Sequence, residues 1–154
     1  MRRAVPVLAT VVVAASVLTG CGVSGSDEGG FGPGTLAQED ARSAFDRAGV
    51  TARALQGMLR VRDDGCFTWS GDEGDGAWIV WPDTVESDAD DGGRVVLQDG
   101  AVVSDGTTLS AEGAVVTLAD LPDGGDPDSY FGSYGRFCDA DARGVMLLSD
   151  VSPG

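Results

Sequence analysis

From Ala54 onward the chain is cut into short apolar segments by Asp-Gly pairs, and this punctuation restricts it to a fold of short strands and tight turns. Met58-Leu59-Arg60-Val61-Arg62 alternates towards its end and stops at Asp63-Asp64-Gly65. Cys66-Phe67-Thr68-Trp69-Ser70 reads as its hairpin partner. Ala77-Trp78-Ile79-Val80-Trp81 is apolar on both faces, which predicts a central strand stopped by Pro82. Residues 94–97 and 101–103 flank Gln98-Asp99-Gly100, a tight-turn signal. Residues 107–109 and then 114–118 continue the series, and residues 145–148 supply the last strand. About seven short strands of this kind predict a mainly β chain, a small β-barrel or sandwich meander with one N-terminal amphipathic helix packed on it.

That helix is expected over residues 35–49. Thr35-Leu36-Ala37-Gln38 has the capping-box pattern. Ala37, Ala41, Ala44, Phe45 and Ala48 fall on one stripe at 3.6-residue spacing. Glu39 and Asp40 lie in the first turn, where the helix dipole favours acids, and Gly49 is placed to end the helix. The alanine face suits close docking on a sheet, with Phe45 as the main anchor.

The N-terminal segment reads as an address. Arg2 and Arg3 precede an uncharged apolar run, residues 4–17, that is too short for a transmembrane helix of roughly 20 residues and has the length of a signal-peptide core. Leu18-Thr19-Gly20-Cys21 resembles the lipobox of bacterial lipoproteins. That resemblance implies cleavage before Cys21, lipidation of its thiol, and retention on the extracytoplasmic face of the cell membrane. Two acyl chains hold a protein firmly where one holds it marginally, at about 0.8 kcal/mol per buried methylene. The chain then divides into a signal peptide (1–20), a lipidated cysteine with a tether rich in Gly, Ser and acids (21–34), and one β-rich domain (35–154).

Absent residue types exclude several chemistries. The chain contains no His, no Lys and no Asn. Ser-His-Asp, Cys-His and Ser-Lys nucleophile–base pairs cannot be built, nor can a Schiff-base lysine or an imidazole-bound zinc site. Lys and Asn have AT-rich codons, so their absence fits a GC-rich genome of the actinobacterial type. Loss of Arg2 and Arg3 on cleavage takes the net charge from −15 to −17. A chain so acidic repels both nucleic-acid backbones and anionic lipid head groups. With Cys21 committed to lipid, Cys66 and Cys138 remain in an oxidising compartment and are expected to pair as a disulfide.

The order Asp64-Gly65-Cys66, then Val80-Trp81-Pro82, then paired strands around an Asp-Gly turn is similar to uncharacterised small β-domains of secreted bacterial proteins and lipoproteins. The resemblance spans residues 58–118 and implies a β-rich fold, with no activity attached to it.

Candidates for chemistry are few. Asp88, Asp90 and Asp99 fall at positions one, three and twelve of a calcium loop, with Gly93 at the turn glycine. Position five is Gly92, which offers no ligand side chain, and a strand pattern follows, so an acidic turn is expected there and no metal. Asp123, Asp126 and Asp128 form a second acidic loop of the same standing. Trp69, Trp78 and Trp81 are expected in the core. Tyr130 and Tyr134, in the aromatic segment before Cys138, are the candidates for a ligand-binding platform, because ring faces beside carboxylates suit sugars. Paired carboxylates are the one common catalytic device left, and no acid is set apart by an apolar setting.

These readings lead to a membrane-anchored extracytoplasmic lipoprotein whose domain serves binding or envelope assembly. It is expected to be no enzyme and to use no cofactor. Its partners are the membrane, through the lipid anchor, and an unidentified protein or envelope component, with nucleic acid excluded. A carbohydrate- or calcium-dependent ligand-binding module is the second reading, and a carboxylate-pair hydrolase the third.

Overall fold

A computed structural model describes residues 32–154. The elements in chain order are β1 (Gly34–Leu36), α1 (Gln38–Ala48), β2 (Arg53–Val61), β3 (Phe67–Ser70), β4 (Trp78–Pro82), β5 (Glu86–Ser87), β6 (Val95–Val96), β7 (Val102–Val103), β8 (Thr108–Val116), a 3-10 turn (Leu118–Asp120), α2 (Tyr130–Phe137), α3 (Ala140–Arg143) and β9 (Val145–Pro153). The protein is mainly β, as the punctuation predicts.

Five strands close a barrel. β2, β3 and β4 follow one another as antiparallel neighbours, and β8 returns to lie antiparallel beside β2, the Greek-key order. β9 pairs antiparallel with β8 on one side and parallel with β4 on the other, which shuts the seam. The hairpin expected around Asp63-Asp64-Gly65 is present, with Val61 opposite Phe67. β5, β6 and β7 form a separate antiparallel sheet, turning at Gln98-Asp99-Gly100 as expected.

The doubly apolar β4 explains the layering. Its Ile79 and Trp81 join Leu59, Phe67, Trp69, Leu109, Met146 and Leu148 in one buried cluster that fills the barrel. Val85, Val95, Leu97 and Val103 belong to the same cluster, so the 85–103 segment plugs one end. Trp78 and Val80 point the other way and join Val145 and Leu147 under a helical cover. That cover is made by Ala41, Ala44 and Phe45 of α1, Leu118 and Leu121 of the following turn, and Phe131 and Tyr134 of α2. The disulfide between Cys66 and Cys138 spans 72 residues and fastens the end of α2 to the start of the β3 hairpin.

Several expectations are corrected. The helix starts at Gln38, not Thr35, and its N-cap Ala37 makes no side-chain bond. Residues 34–36 instead pair parallel with β4, Gly34 opposite Val80, and satisfy a ladder of backbone groups where a cap would satisfy one. The domain therefore begins before residue 35. Gly49 does end the helix: at φ 66° its N–H donates to Asp46, and that of Val50 donates to Phe45. Residues 107–109 and 114–118 were expected as two strands; β8 runs unbroken between them, and a bulge between Glu112 and Gly113 absorbs the apparent break. The cover also contains α2 and α3, beyond the single helix expected. Gly132 and Gly135 made α2 a poor helix by propensity. Both are needed for approach: a side chain at Gly135 would strike Leu118, and one at Gly132 the Asp126 carbonyl.

Two outcomes test this packing. Gly34 lies under Trp78, and a Cβ there would sit 2.6 Å from the indole ring. Gly34→Ala should therefore cost about 1–3 kcal/mol in urea unfolding followed by tryptophan fluorescence; wild-type stability would place residue 34 outside the core. Removing the 72-residue cross-link by Cys66→Ser with Cys138→Ser should cost up to ~4 kcal/mol in the same measurement. Two free thiols in the native protein by mass spectrometry would contradict the bridge.

Candidate functional site

The acidic loops do not build a metal centre. Asp88 accepts from the Asp90 N–H at 3.0 Å and faces Arg94 Nη2 at 3.1 Å. Asp91 accepts from the Gly93 N–H at 2.9 Å and lies 3.4 Å from Arg94 Nε. Asp99 accepts from Ala101 at 2.9 Å in the turn at the opposite end of β6. A strand thus separates Asp88 and Asp90 from Asp99, and a guanidinium already matches the first of them. In the second loop Asp126 accepts from the Asp128 N–H at 2.9 Å. Among the described residues no three metal-binding side chains come together. Asp88, Asp90 and Asp99 are three turn-formers, not a calcium set.

The tyrosine pair is divided as well. Tyr134 is buried in the helical cover with its ring centroid 4.8 Å from that of Trp78, and its hydroxyl donates to the Gly32 carbonyl. Tyr130 is half exposed and packs edge-on against Phe131 and Tyr134. The pair offers no shared platform, because one ring is core. Trp69 and Trp81 are buried in the barrel and Trp78 under the helical cover, so all three are core, as expected. Cys21 lies outside the described residues.

An ionic knot sits beside the disulfide. Arg62 meets Asp64 at 2.7 Å and Asp139 at 2.8 Å, joining the β2–β3 turn to the α2–α3 junction. The hydrogen bond that the guanidinium donates to Asp139, and then the nearby charges, hold it above its ordinary pKa. Asp139 adopts a left-handed φ of 61° at the point where the chain leaves Cys138. This cluster is a fastener of the cover, with both acids matched by one cation.

The arrangement with most capacity for recognition lies at the end of the barrel opposite the 85–103 plug. There the β3–β4 connection folds over β2 and is held by a ladder of its own: Gly76 N–H to the Trp69 carbonyl at 2.7 Å, Ala77 N–H to Gly74 at 2.8 Å, and Ser70 Oγ to Asp75 at 2.9 Å. An Arg53–Glu73 ion pair crosses from β2 to this connection. Between them opens a cleft of about 370 Å³ with Arg53, Leu55, Gln56, Trp69, Asp72 and Glu73 on its walls. Trp69 is 1% exposed. Gly57 and Gly71 bound the indole edge; a Cβ at Gly71 would lie 2.8 Å from Nε1 and one at Gly57 2.3 Å from Cε2, so neither position has room for a side chain. The cleft thus presents an amide, a guanidinium and two carboxylates beside an apolar wall. The sequence reading missed these residues. The signal was there in Gly57, a glycine inside a strand pattern, which marks a close approach of another group.

The Tyr134 contact sets the alkaline limit of the fold. Burial, then the neighbouring Tyr130, push its phenol above the ordinary range. The unfolded phenol ionises near pH ~10 while the folded one stays neutral, so its contribution to stability is complete below that pH and falls as pH rises through it. Tyr134→Phe should lose about 0.5–1.5 kcal/mol at neutral pH, with the Gly32 hydrogen bond, and show a flatter loss above pH ~10. Urea unfolding at a series of pH values checks this, and equal alkaline slopes in both proteins would refute it. Compared with known proteins, the chain matches no family model, no curated protein and no solved structure.

Proposed function

We propose that this chain is a membrane-anchored extracytoplasmic lipoprotein whose barrel is a non-enzymatic binding or envelope-assembly domain. The observation that carries the binding part is the placement of charge. No acidic or basic side chain is buried among the described residues. A carboxylate acting as general acid needs an apolar setting to keep its proton. Charge is instead spread over the surface, much of it in ion pairs such as Arg60–Asp105, Arg94–Asp88 and Arg136–Asp141. Such a surface suits recognition and solubility more than proton transfer.

The anchoring part rests on Leu18-Thr19-Gly20-Cys21 and is supported by how the chain enters the barrel. From Gly32 on it is tied down, by Tyr134 and by pairing of β1 with β4. Gly32 stands eleven residues after Cys21. A Gly-rich connection of that length spans ~17–20 Å on average, so the domain works close to the membrane surface. No helix among the described residues is long and apolar enough to cross a membrane. The partner under this proposal is an envelope component within that reach.

Metabolic labelling with palmitate tests the anchor. The wild-type protein should carry label and sediment with membranes, and Cys21→Ser should carry none and keep its uncleaved leader. Label persisting on Cys21→Ser would overturn the lipoprotein assignment.

A further inference from the structure

We propose, resting on the reading of this chain as a lipoprotein, that the exposed aromatic face of α2 seats the domain on the lipid bilayer beside its own anchor. Among the described residues the aromatic side chains left exposed are Tyr130, at 51%, and Phe137, at 47%. Both belong to α2, and a spacing of seven residues puts them on one stripe of the helix, two turns apart. The buried side of the same helix fixes that stripe in place. Phe131 and Tyr134 pack on Trp78, and Cys138 at the helix end is bonded to Cys66. The two rings therefore stand on a rigid support.

What covers them follows from where the anchored end of the chain enters the domain. Gly32, eleven residues after Cys21, is held by the Tyr134 hydroxyl, and the Tyr134 ring lies 6.0 Å from that of Tyr130. The lipid anchor thus leads to the face of the domain that carries the exposed rings. A side chain with an apolar body and a polar tip, as in Tyr130, is stable at the boundary between acyl chains and head groups. Shallow insertion of such rings adds to the hold of the acyl chains, as a second membrane signal does. Charge does not supply the contact. Asp126, Asp128, Asp139 and Asp141 are exposed on either side of the helix, and Arg62 and Arg136 pair with the last two. The contact is therefore apolar and favours zwitterionic over anionic head groups.

The test is NMR on the full-length lipidated protein in phosphatidylcholine nanodiscs that carry a gadolinium-chelating lipid head group. Amides of residues 130–137 should relax several-fold faster than those of residues 72–75 at the far end of the barrel. In Tyr130→Ser with Phe137→Ser the tether is intact, and the excess at α2 should fall several-fold. Tyr130→Ser alone, at an exposed position that leaves the fold intact, should lower it part of the way. Replacing part of the phosphatidylcholine by phosphatidylglycerol should also shrink the excess. Even relaxation across the wild-type domain, a pattern unchanged in both variants, or a rise with phosphatidylglycerol would overturn the bilayer seat. So would α2 signals that shift with the number of proteins per disc, since a second copy would then cover the face. Intact mass separates the two readings: acylated protein with even relaxation sinks the seat alone, and protein without acyl chains on Cys21 sinks the lipoprotein reading and the seat with it.

Discussion

A strand that is apolar on both faces has to be covered twice, and the rest of this structure follows from that demand. β4 sends Ile79 and Trp81 inward and Trp78 and Val80 outward, all fully buried. A single sheet with one solvated side could not accept it. The inward face is met by closing five strands into a barrel, and the outward face by the helices of the 117–144 segment and α1. Because β4 pairs with β9 in parallel, the closing strand cannot follow it directly in the chain. The intervening chain is used at both ends of the problem: residues 85–103 plug the barrel, and α2 and α3 roof its outer wall.

The roof is held to the wall by contacts of different kinds in one place. Cys66–Cys138 links them covalently, and Arg62 joins the same two segments by charge. Tyr134 lies on Trp78 and takes the Gly32 carbonyl. The N-terminal strand β1 is wedged alongside, with Val80 between Gly34 on one side and Leu147 on the other. Entry of the chain into the domain is thus coupled to the packing of the roof.

The opposite end of the barrel is built differently. There the interior cluster meets a short connection instead of a hydrophobic plug, and the buried Trp69 indole packs directly against glycines at 57 and 71. A surface this acidic repels polyanions.

What the amino-acid order determined by itself is the local alphabet of the fold. Asp-Gly pairs mark turns because glycine supplies positive φ and aspartate accepts from nearby backbone, so the 63–65 and 98–100 turns were legible. Trp69 was legible as core, and the two cysteines left beside Cys21 were expected to pair, as Cys66 and Cys138 do. Where tertiary contact overrode local preference, the sequence misled: Thr35 offered a cap and became a strand residue, and α2 was not foreseen as a helix. The tertiary structure alone decided that Tyr134 is core while Tyr130 is surface, and that Asp88 and Asp99 stand at opposite ends of β6. It alone brought Trp69, Asp72 and Gln56 to one cleft. The reason is physical: strand pairing joins residues far apart in the chain, and which of them meet depends on register and closure, which no local pattern encodes.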